Sequence, residues 1–235
     1  MTRGDPNGGR LLLGVQGVSA GSGTARPLRD VSLDVDPGEA LGVLGPRGSG
    51  KTALLNVISG FLRPERGRIT FAGRDVTGWA PRRIARAGVA RSFQAVSALN
   101  GADIGDVVLA AAVGRGLGAR ERREAVEEAL TITGLASHLH RDSASLGPVE
   151  QRLVRLARVA AAAPRLALLD EPLAGLPPAG AGRVVSVLLR LRSAGIAMIV
   201  TGHHPASLRV VCSQAVLMRG GRIVDRGRPA DMSRA

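Results

Sequence analysis

Glycine at two fixed places, followed by lysine and then a hydroxyl, is a combination suited to holding phosphate. It occurs in Gly45-Pro46-Arg47-Gly48-Ser49-Gly50-Lys51-Thr52, after the apolar run Ala40-Leu41-Gly42-Val43-Leu44 and before the helix-like run Ala53-Leu54-Leu55-Asn56-Val57-Ile58. Strand before and helix after is the context that the pattern G-x-x-x-x-G-K-[ST] requires. Glycines let the backbone turn tightly, so that successive N–H groups point inward at phosphate oxygens. The following helix adds the positive end of its dipole, Lys51 reaches the outer phosphates, and the Thr52 hydroxyl is placed to ligate Mg²⁺. Lys51 is the only lysine in the chain, and glycine fills 32 of 235 positions. By composition the pattern around that lysine arises by chance about 0.002 times, so it is not read as a Gly-rich turn beside a basic residue. A slim ammonium also suits such a loop better than a broad guanidinium fork. The candidate phosphate-binding residues are Gly45, Pro46, Arg47, Gly48, Ser49, Gly50, Lys51, Thr52 and Ala53, and the ligand they imply is a nucleoside triphosphate.

A second candidate pair closes another apolar run, Leu166-Ala167-Leu168-Leu169-Asp170-Glu171. Asp170, at a strand end, can hold Mg²⁺ directly or through water, and Glu171 is placed to polarise an attacking water as general base. Alone, the pair reads as a solvated acidic strand end before the turn at Pro172. Beside a phosphate loop it supplies the other half of an ATPase site.

Elements must position these groups. Leu11 to Gln16 and Val31 to Val35 read as strands, Asp36-Pro37-Gly38-Glu39 as a turn into the strand that feeds the loop, and Arg68 to Phe71 as a short strand. Pro81 to Arg86 is a helix opened by proline, and Gly88 to Phe93 returns as a strand. Ile104 to Val113 and Ala119 to Ile132 have helical periodicity and form an insert over about 95–148. A helix from Glu150 to Ala162, the acidic-ended strand, a helix from Ala179 to Arg192, a strand from Ala197 to Thr201 and a closing helix–strand–strand follow. Apolar strands alternating with helices give an α/β fold: a mostly parallel sheet core, antiparallel N-terminal strands and an inserted helical subdomain. One domain is expected over 11–235, with the polar, Gly-rich residues 1–10 disordered.

The hydrophobic fraction of 45% and charged fraction of 22% suit a globular chain with one good core. The single Cys212 excludes an internal disulfide and suits a reducing compartment. The sequence shows neither a secretory apolar core near its start nor an apolar run of spanning length, so work at a membrane would go through a partner. The net charge of +13 comes from scattered arginines without interleaved aromatics, which disfavours nucleic acid as partner.

The order of phosphate loop, Gln94, helical insert, Leu168-Leu169-Asp170-Glu171-Pro172 and His203 resembles the ATP-binding subunits of ABC transporters, from Leu11 to about Arg228. Ser59-Gly60-Phe61-Leu62-Arg63-Pro64, Phe71-Ala72-Gly73-Arg74-Asp75-Val76-Thr77-Gly78 and Arg83-Ile84-Ala85-Arg86 with Arg91-Ser92-Phe93-Gln94 are similar to the larger ATP-binding subunit of branched-chain amino acid uptake systems, as is Ala129 to Leu139. The resemblance implies a P-loop NTPase fold of the ABC ATPase type and ATP hydrolysis with Mg²⁺ held by Thr52, Gln94 and Asp170. It implies catalytic roles for Glu171, His203, Gln94 and Lys51: Gln94 touches Mg²⁺ and the attacking water, and His203 contacts the terminal phosphate. The implied partners are membrane permease subunits, whose cytoplasmic loop enters a groove between Gln94 and the insert, and a second ATP-binding subunit. The implied place is the cytoplasmic face of the cell membrane, held through the permease.

Three departures from the family pattern stand out. Ser22 falls about where members stack adenine on an aromatic ring. The family's signature loop, roughly L-S-G-G-Q, is here Leu146-Gly147-Pro148-Val149-Glu150; Pro148 lacks a backbone donor and Val149 hinders close backbone approach. Pro177 stands where the following loop usually has Asp or Asn. The last two lie on the surface that completes another subunit's site, while groups serving this chain's own ATP are kept. An asymmetric heterodimer is therefore expected in preference to a homodimer. The alternative is a regulatory subunit that binds ATP with little turnover.

Overall fold

The computed structural model describes residues 11–22, 25–92, 102–113 and 117–232. Residues 1–10, Phe93 and Gln94 lie outside that set, as does the side chain of Ser22. In chain order the elements are β1 (Leu13–Ser22), β2 (Ala25–Val35), β3 (Ala40–Leu44), α1 (Lys51–Ile58), β4 (Arg66–Phe71), β5 (Arg74–Asp75), α2 (Pro81–Arg86) and β6 (Val89–Ser92). Then come α3 (Ile104–Val113), α4 (Ala119–Thr133), two 3₁₀ turns, α5 (Pro148–Ala161), β7 (Leu166–Leu169), α6 (Pro178–Ser193), β8 (Ala197–Gly202), α7 (Pro205–Leu208), β9 (Gln214–Arg219) and β10 (Arg222–Gly227).

The larger sheet has the order β10-β9-β3-β8-β7-β6. β3 pairs in parallel with β8 and β9, β8 with β7 and β7 with β6; only β10 runs antiparallel, against β9. Every residue of β3, β7 and β8 is buried, so their unbroken apolar runs are those of strands covered on both faces. Register places Leu44 beside Gly202 and Leu169 beside Val200. The carboxyl ends of β3, β7 and β8 thus share one edge, the edge at which open α/β sheets bind ligands.

Each face carries its own core. One cluster joins β1, β2, β4 and α1 to the large sheet; the other joins α3, α4, α5 and α6 to its opposite face. The smaller sheet, β2-β1-β4-β5, is antiparallel throughout. β1 and β2 run much further than the alternating apolar pattern implies. Bulges between Val15 and Val18 and beyond let Gly17 and polar residues continue the ladder, which a strict period of two does not reveal. α5 starts two residues ahead of the expected Glu150, because Pro148 is preset for the first helical position and Gly147 is extended at φ −68°, ψ 169°.

Candidate functional site

Residues 45–50 form the turn from β3 into α1, and three of their glycines take positive φ: Gly45 at 152°, Gly48 at 77° and Gly50 at 107°. A Cβ on Gly45 would lie 2.4 Å from the Met218 carbonyl oxygen, and one on Gly50 2.5 Å from that of Pro27. Glycine is required at both for close backbone approach as well as for conformation. The Gly221 N–H donates to the Ser49 carbonyl at 3.0 Å, tying the loop to the β9–β10 turn. The Ser49 hydroxyl is buried and has no hydrogen-bond partner.

Lys51, at the first position of α1, is 5% exposed. Its Nζ donates to the carbonyls of Gly45 (2.7 Å) and Pro46 (3.0 Å) and lies 3.7 Å from Glu171 Oε1. Burial pulls the ammonium below its ordinary pKa, and the carboxylates of Glu171 and Asp170 oppose that shift. Beside it, Thr52 Oγ1 donates to Asp170 Oδ2 at 3.2 Å. The phosphate loop and the acidic strand end, far apart in sequence, meet through these two adjacent residues.

Asp170 and Glu171 leave β7 in different directions. Asp170, 6% exposed, accepts the Thr201 hydroxyl at Oδ1 (2.9 Å). Arg91 Nη2 lies 3.8 Å from its Oδ2, and its N–H donates to Ser92 Oγ at 3.3 Å. Glu171 has φ 47°, a left-handed conformation costly for a residue with a side chain. Three contacts hold it there: its N–H donates to Thr201 Oγ1 (2.8 Å), Arg152 Nη1 donates to its carbonyl (3.0 Å), and the Glu171 carbonyl accepts the Ala174 N–H at 3.2 Å. The strain turns the carboxylate toward His203, whose Nε2 lies 2.7 Å from Glu171 Oε1. His203 Nδ1 lies 3.0 Å from the Gly45 carbonyl, so the same oxygen faces both Lys51 and His203.

Lys51, Thr52, Asp170, Glu171 and His203 are thus brought together at the edge formed by β3, β7 and β8. Arg47 and Gly48 are exposed at the tip of the loop, and Gln94 lies outside the described residues. His204, adjacent in sequence, is the N-cap residue of α7. Sequence reasoning missed Thr201, Arg91, Ser92 and Arg152. Thr201 had a faint signal as the hydroxyl that ends an apolar strand before Gly202-His203; Arg91 had one as the charge within a short strand.

Around the altered signature loop, Gly147 is the N-cap of α5 without a side-chain bond, and Pro148 takes the first helical position. Val149 packs inward against the second core, against a glycine of α6: a Cβ on Gly180 would come 2.6 Å from Val149 Cγ2. Glu150 turns back toward Gly147 and lies 3.5 Å from Arg183 Nη1.

Among the described residues no cluster of three or more His, Cys, Asp or Glu could hold a metal, and no helix is long and apolar enough to cross a membrane. The arrangement gathers an ammonium, a hydroxyl, two carboxylates and an imidazole beside the loop.

Known proteins carry the same arrangement of chain. The family model described as ABC transporter matches residues 28–174. The lipopolysaccharide export system ATP-binding protein of Acidithiobacillus ferridurans is 35% identical over 207 residues, 87% of this chain and 85% of the relative. The cobalt import ATP-binding protein of Rhodobacter capsulatus is 34% identical over 216 residues, 88% of this chain and 75% of the relative. A solved ATP-binding cassette of an ABC transporter superposes with a TM-score of 0.86 at 26% identity, covering 93% of this chain and 92% of that one. The family match spans most of the chain, both halves of the site included save His203, and the fold agrees over nearly its whole length: this chain belongs to the ABC transporter family, as an ATP-hydrolysing ATP-binding subunit.

Proposed function

We propose that this chain hydrolyses ATP to drive import of a small solute, branched-chain or related amino acids, through separate permease subunits, from the cytoplasmic face of the membrane. The observation that carries the catalytic part is the convergence of Lys51 and His203 on the Gly45 carbonyl, with Glu171 Oε1 facing both side chains, beside the Thr52–Asp170 contact. The loop N–H groups and Lys51 bind the phosphates, and the unpartnered Ser49 hydroxyl is a further donor in the same loop. Glu171 Oε1 accepts the proton of the attacking water, and His203 moves from that carboxylate to the terminal phosphate. Thr52 Oγ1 and Asp170 Oδ2 are hard oxygen donors on one side of the site, which fits Mg²⁺, an ion that takes few carboxylates and fills its shell with phosphate and water oxygens. Bound there, Mg²⁺ neutralises charge on the outer phosphates. By the family resemblance, Gln94 would supply a further ligand.

The solute rests on the three sequence segments that are similar to branched-chain amino acid systems. The matched relatives span cobalt import and lipopolysaccharide export, so the cassette alone leaves the cargo to the permease. The groove beside α3 and α5 receives a cytoplasmic loop of that permease. A second ATP-binding subunit with an intact signature loop completes this chain's site, since Gly147, Pro148, Val149 and Glu150 offer little to a facing nucleotide. Those same residues favour the second reading, a regulatory ATP-binding subunit with little turnover.

The test pairs two measurements. Glu171→Gln should keep ATP binding and lose turnover by about 10²–10⁴-fold, as expected when a general base is removed. In the native host, loss of the chain should abolish uptake of radiolabelled leucine, isoleucine and valine, with no rescue by Glu171→Gln. Unchanged uptake would remove the solute while leaving the ATPase intact; equal slow turnover of both forms would favour the regulatory reading.

A further inference from the structure

We propose that Arg91 is a fixed counter-cation of Asp170, which offsets that carboxylate's charge toward the phosphates of ATP and so sets how far nucleotide binding depends on Mg²⁺. The inference rests on the ATP and Mg²⁺ reading given above and adds Arg91 to it as a residue that acts through Asp170.

Arg91 belongs to β6, the neighbour of β7 in the large sheet, where its register partner is Leu168. Its Nη2 lies 3.8 Å from Asp170 Oδ2, and the two side chains are withdrawn from solvent, at 8% and 4% exposure. Oδ2 is also the oxygen that accepts the Thr52 hydroxyl, at 3.2 Å. Arg91 and the proposed Mg²⁺ therefore draw on the same carboxylate oxygen. Charges so far from water interact more strongly than a surface pair at the same distance. The guanidinium stays cationic there: burial pulls it below its ordinary pKa, and Asp170 opposes that shift.

Two neutral partners hold the guanidinium in place. Nη1 donates to Asn56 Oδ1 at 2.5 Å and to Ser59 Oγ at 3.1 Å. Asn56 lies in α1 and Ser59 is its C-cap, so the helix that begins at the phosphate loop also anchors Arg91. Ser59 is itself fixed, buried with its hydroxyl donating to the Leu55 carbonyl. Neither partner carries charge, so neither offsets the field that reaches Asp170.

The orientation of Asp170 is set by other groups. Thr201 donates to Oδ1 at 2.9 Å, Thr52 donates to Oδ2, and Ser92 Oγ accepts the Asp170 N–H at 3.3 Å. What Arg91 adds is charge. With it, Asp170 repels a triphosphate less and attracts Mg²⁺ less; without it, both effects grow. Lys51 is a second cation whose charge reaches Asp170, but it also faces Glu171 and is the group assigned to the phosphates. Arg91, tied to α1, remains with Asp170 throughout.

The test is the affinity of the full chain for a fluorescent, non-hydrolysable ATP analogue, measured by anisotropy in Mg²⁺ and again in EDTA. The dissociation constant in EDTA divided by that in Mg²⁺ reads the metal dependence of binding. Arg91→Gln should weaken binding in EDTA and raise that ratio by about tenfold or more over wild type, the scale on which a buried neighbouring charge acts. Arg91→Lys should keep most of the wild-type ratio, which separates charge from packing. Asn56→Asp leaves Arg91 in place but gives it a carboxylate partner, so the ratio should rise there too; if Arg91→Gln does not fold, this variant decides alone. An unchanged ratio overturns the inference. So does a lower one, which marks Arg91 as a group that only holds Asp170 in shape. Binding itself is read separately: if every form binds the analogue with one common ratio, only this inference fails, and if no form binds it in either buffer, the ATPase reading itself fails.

Discussion

The Thr201 hydroxyl donates to Asp170 Oδ1 at 2.9 Å and accepts the Glu171 N–H at 2.8 Å, while the residue is only 1% exposed. One oxygen therefore sets both carboxylate-bearing residues, including the left-handed turn at Glu171. Thr201→Val keeps the shape and strands two polar groups, at a cost of about 2 kcal/mol or more. For a chain of this size the melting temperature should fall by about 4–8 °C, read by calorimetry. Turnover should drop while the KM for ATP holds, because the phosphate loop is untouched. Cys212 gives a second prediction at this scale. Burial pushes its thiol up to about 12, from an ordinary 9.0. A raised pKa favours the neutral thiol, so at pH 8 the folded thiolate population is lower by about a thousandfold. Native protein should react with a disulfide reagent only on unfolding; rapid reaction in the native state would contradict that burial.

At the scale of elements, the start of α5 decides how this chain meets a facing nucleotide. Gly147 provides no side-chain cap, Pro148 provides no N–H, and Glu150 places a carboxylate in the first turn where phosphate would otherwise be favoured. Gly147→Ser with Glu150→Gln adds a capping hydroxyl worth about a few tenths of a kcal/mol to the helix and removes the repelling charge. The doubly substituted chain, assayed alone, should hydrolyse ATP several-fold faster than wild type; unchanged turnover would mean that Pro148 dominates. Much of this was legible locally. The Gly-Lys-Thr spacing fixed the loop, and proline at a helix start fixed the bounds of α2 at Pro81–Arg86. Contacts that depend on strand order were not legible. That Arg91 of β6 and Thr201 of β8 both reach Asp170 follows from β7 lying between them, a fact carried by sheet register and by no short pattern. The long reach of β1 and β2 was hidden for a related reason, since bulges erase the alternation that marks a strand.

For the whole molecule, the outcome turns on whether two copies of this chain can clamp ATP between them. Of the groups proposed to serve this chain's own nucleotide, Lys51, Thr52, Asp170, Glu171 and His203 are assembled at one sheet edge, whereas the surface at Gly147 and Pro148 proposed to meet a neighbour's is exposed, with no side-chain cap and no N–H on Pro148. Glu171→Gln should slow hydrolysis enough to trap any ATP-bound dimer. On size-exclusion chromatography with Mg²⁺ and ATP, the variant alone should elute as a monomer that still binds nucleotide. Adding the cognate second ATP-binding subunit should shift it to a dimer. A stable dimer of the variant alone would show that the altered loop still clamps ATP, and a homodimeric motor would replace the asymmetric one.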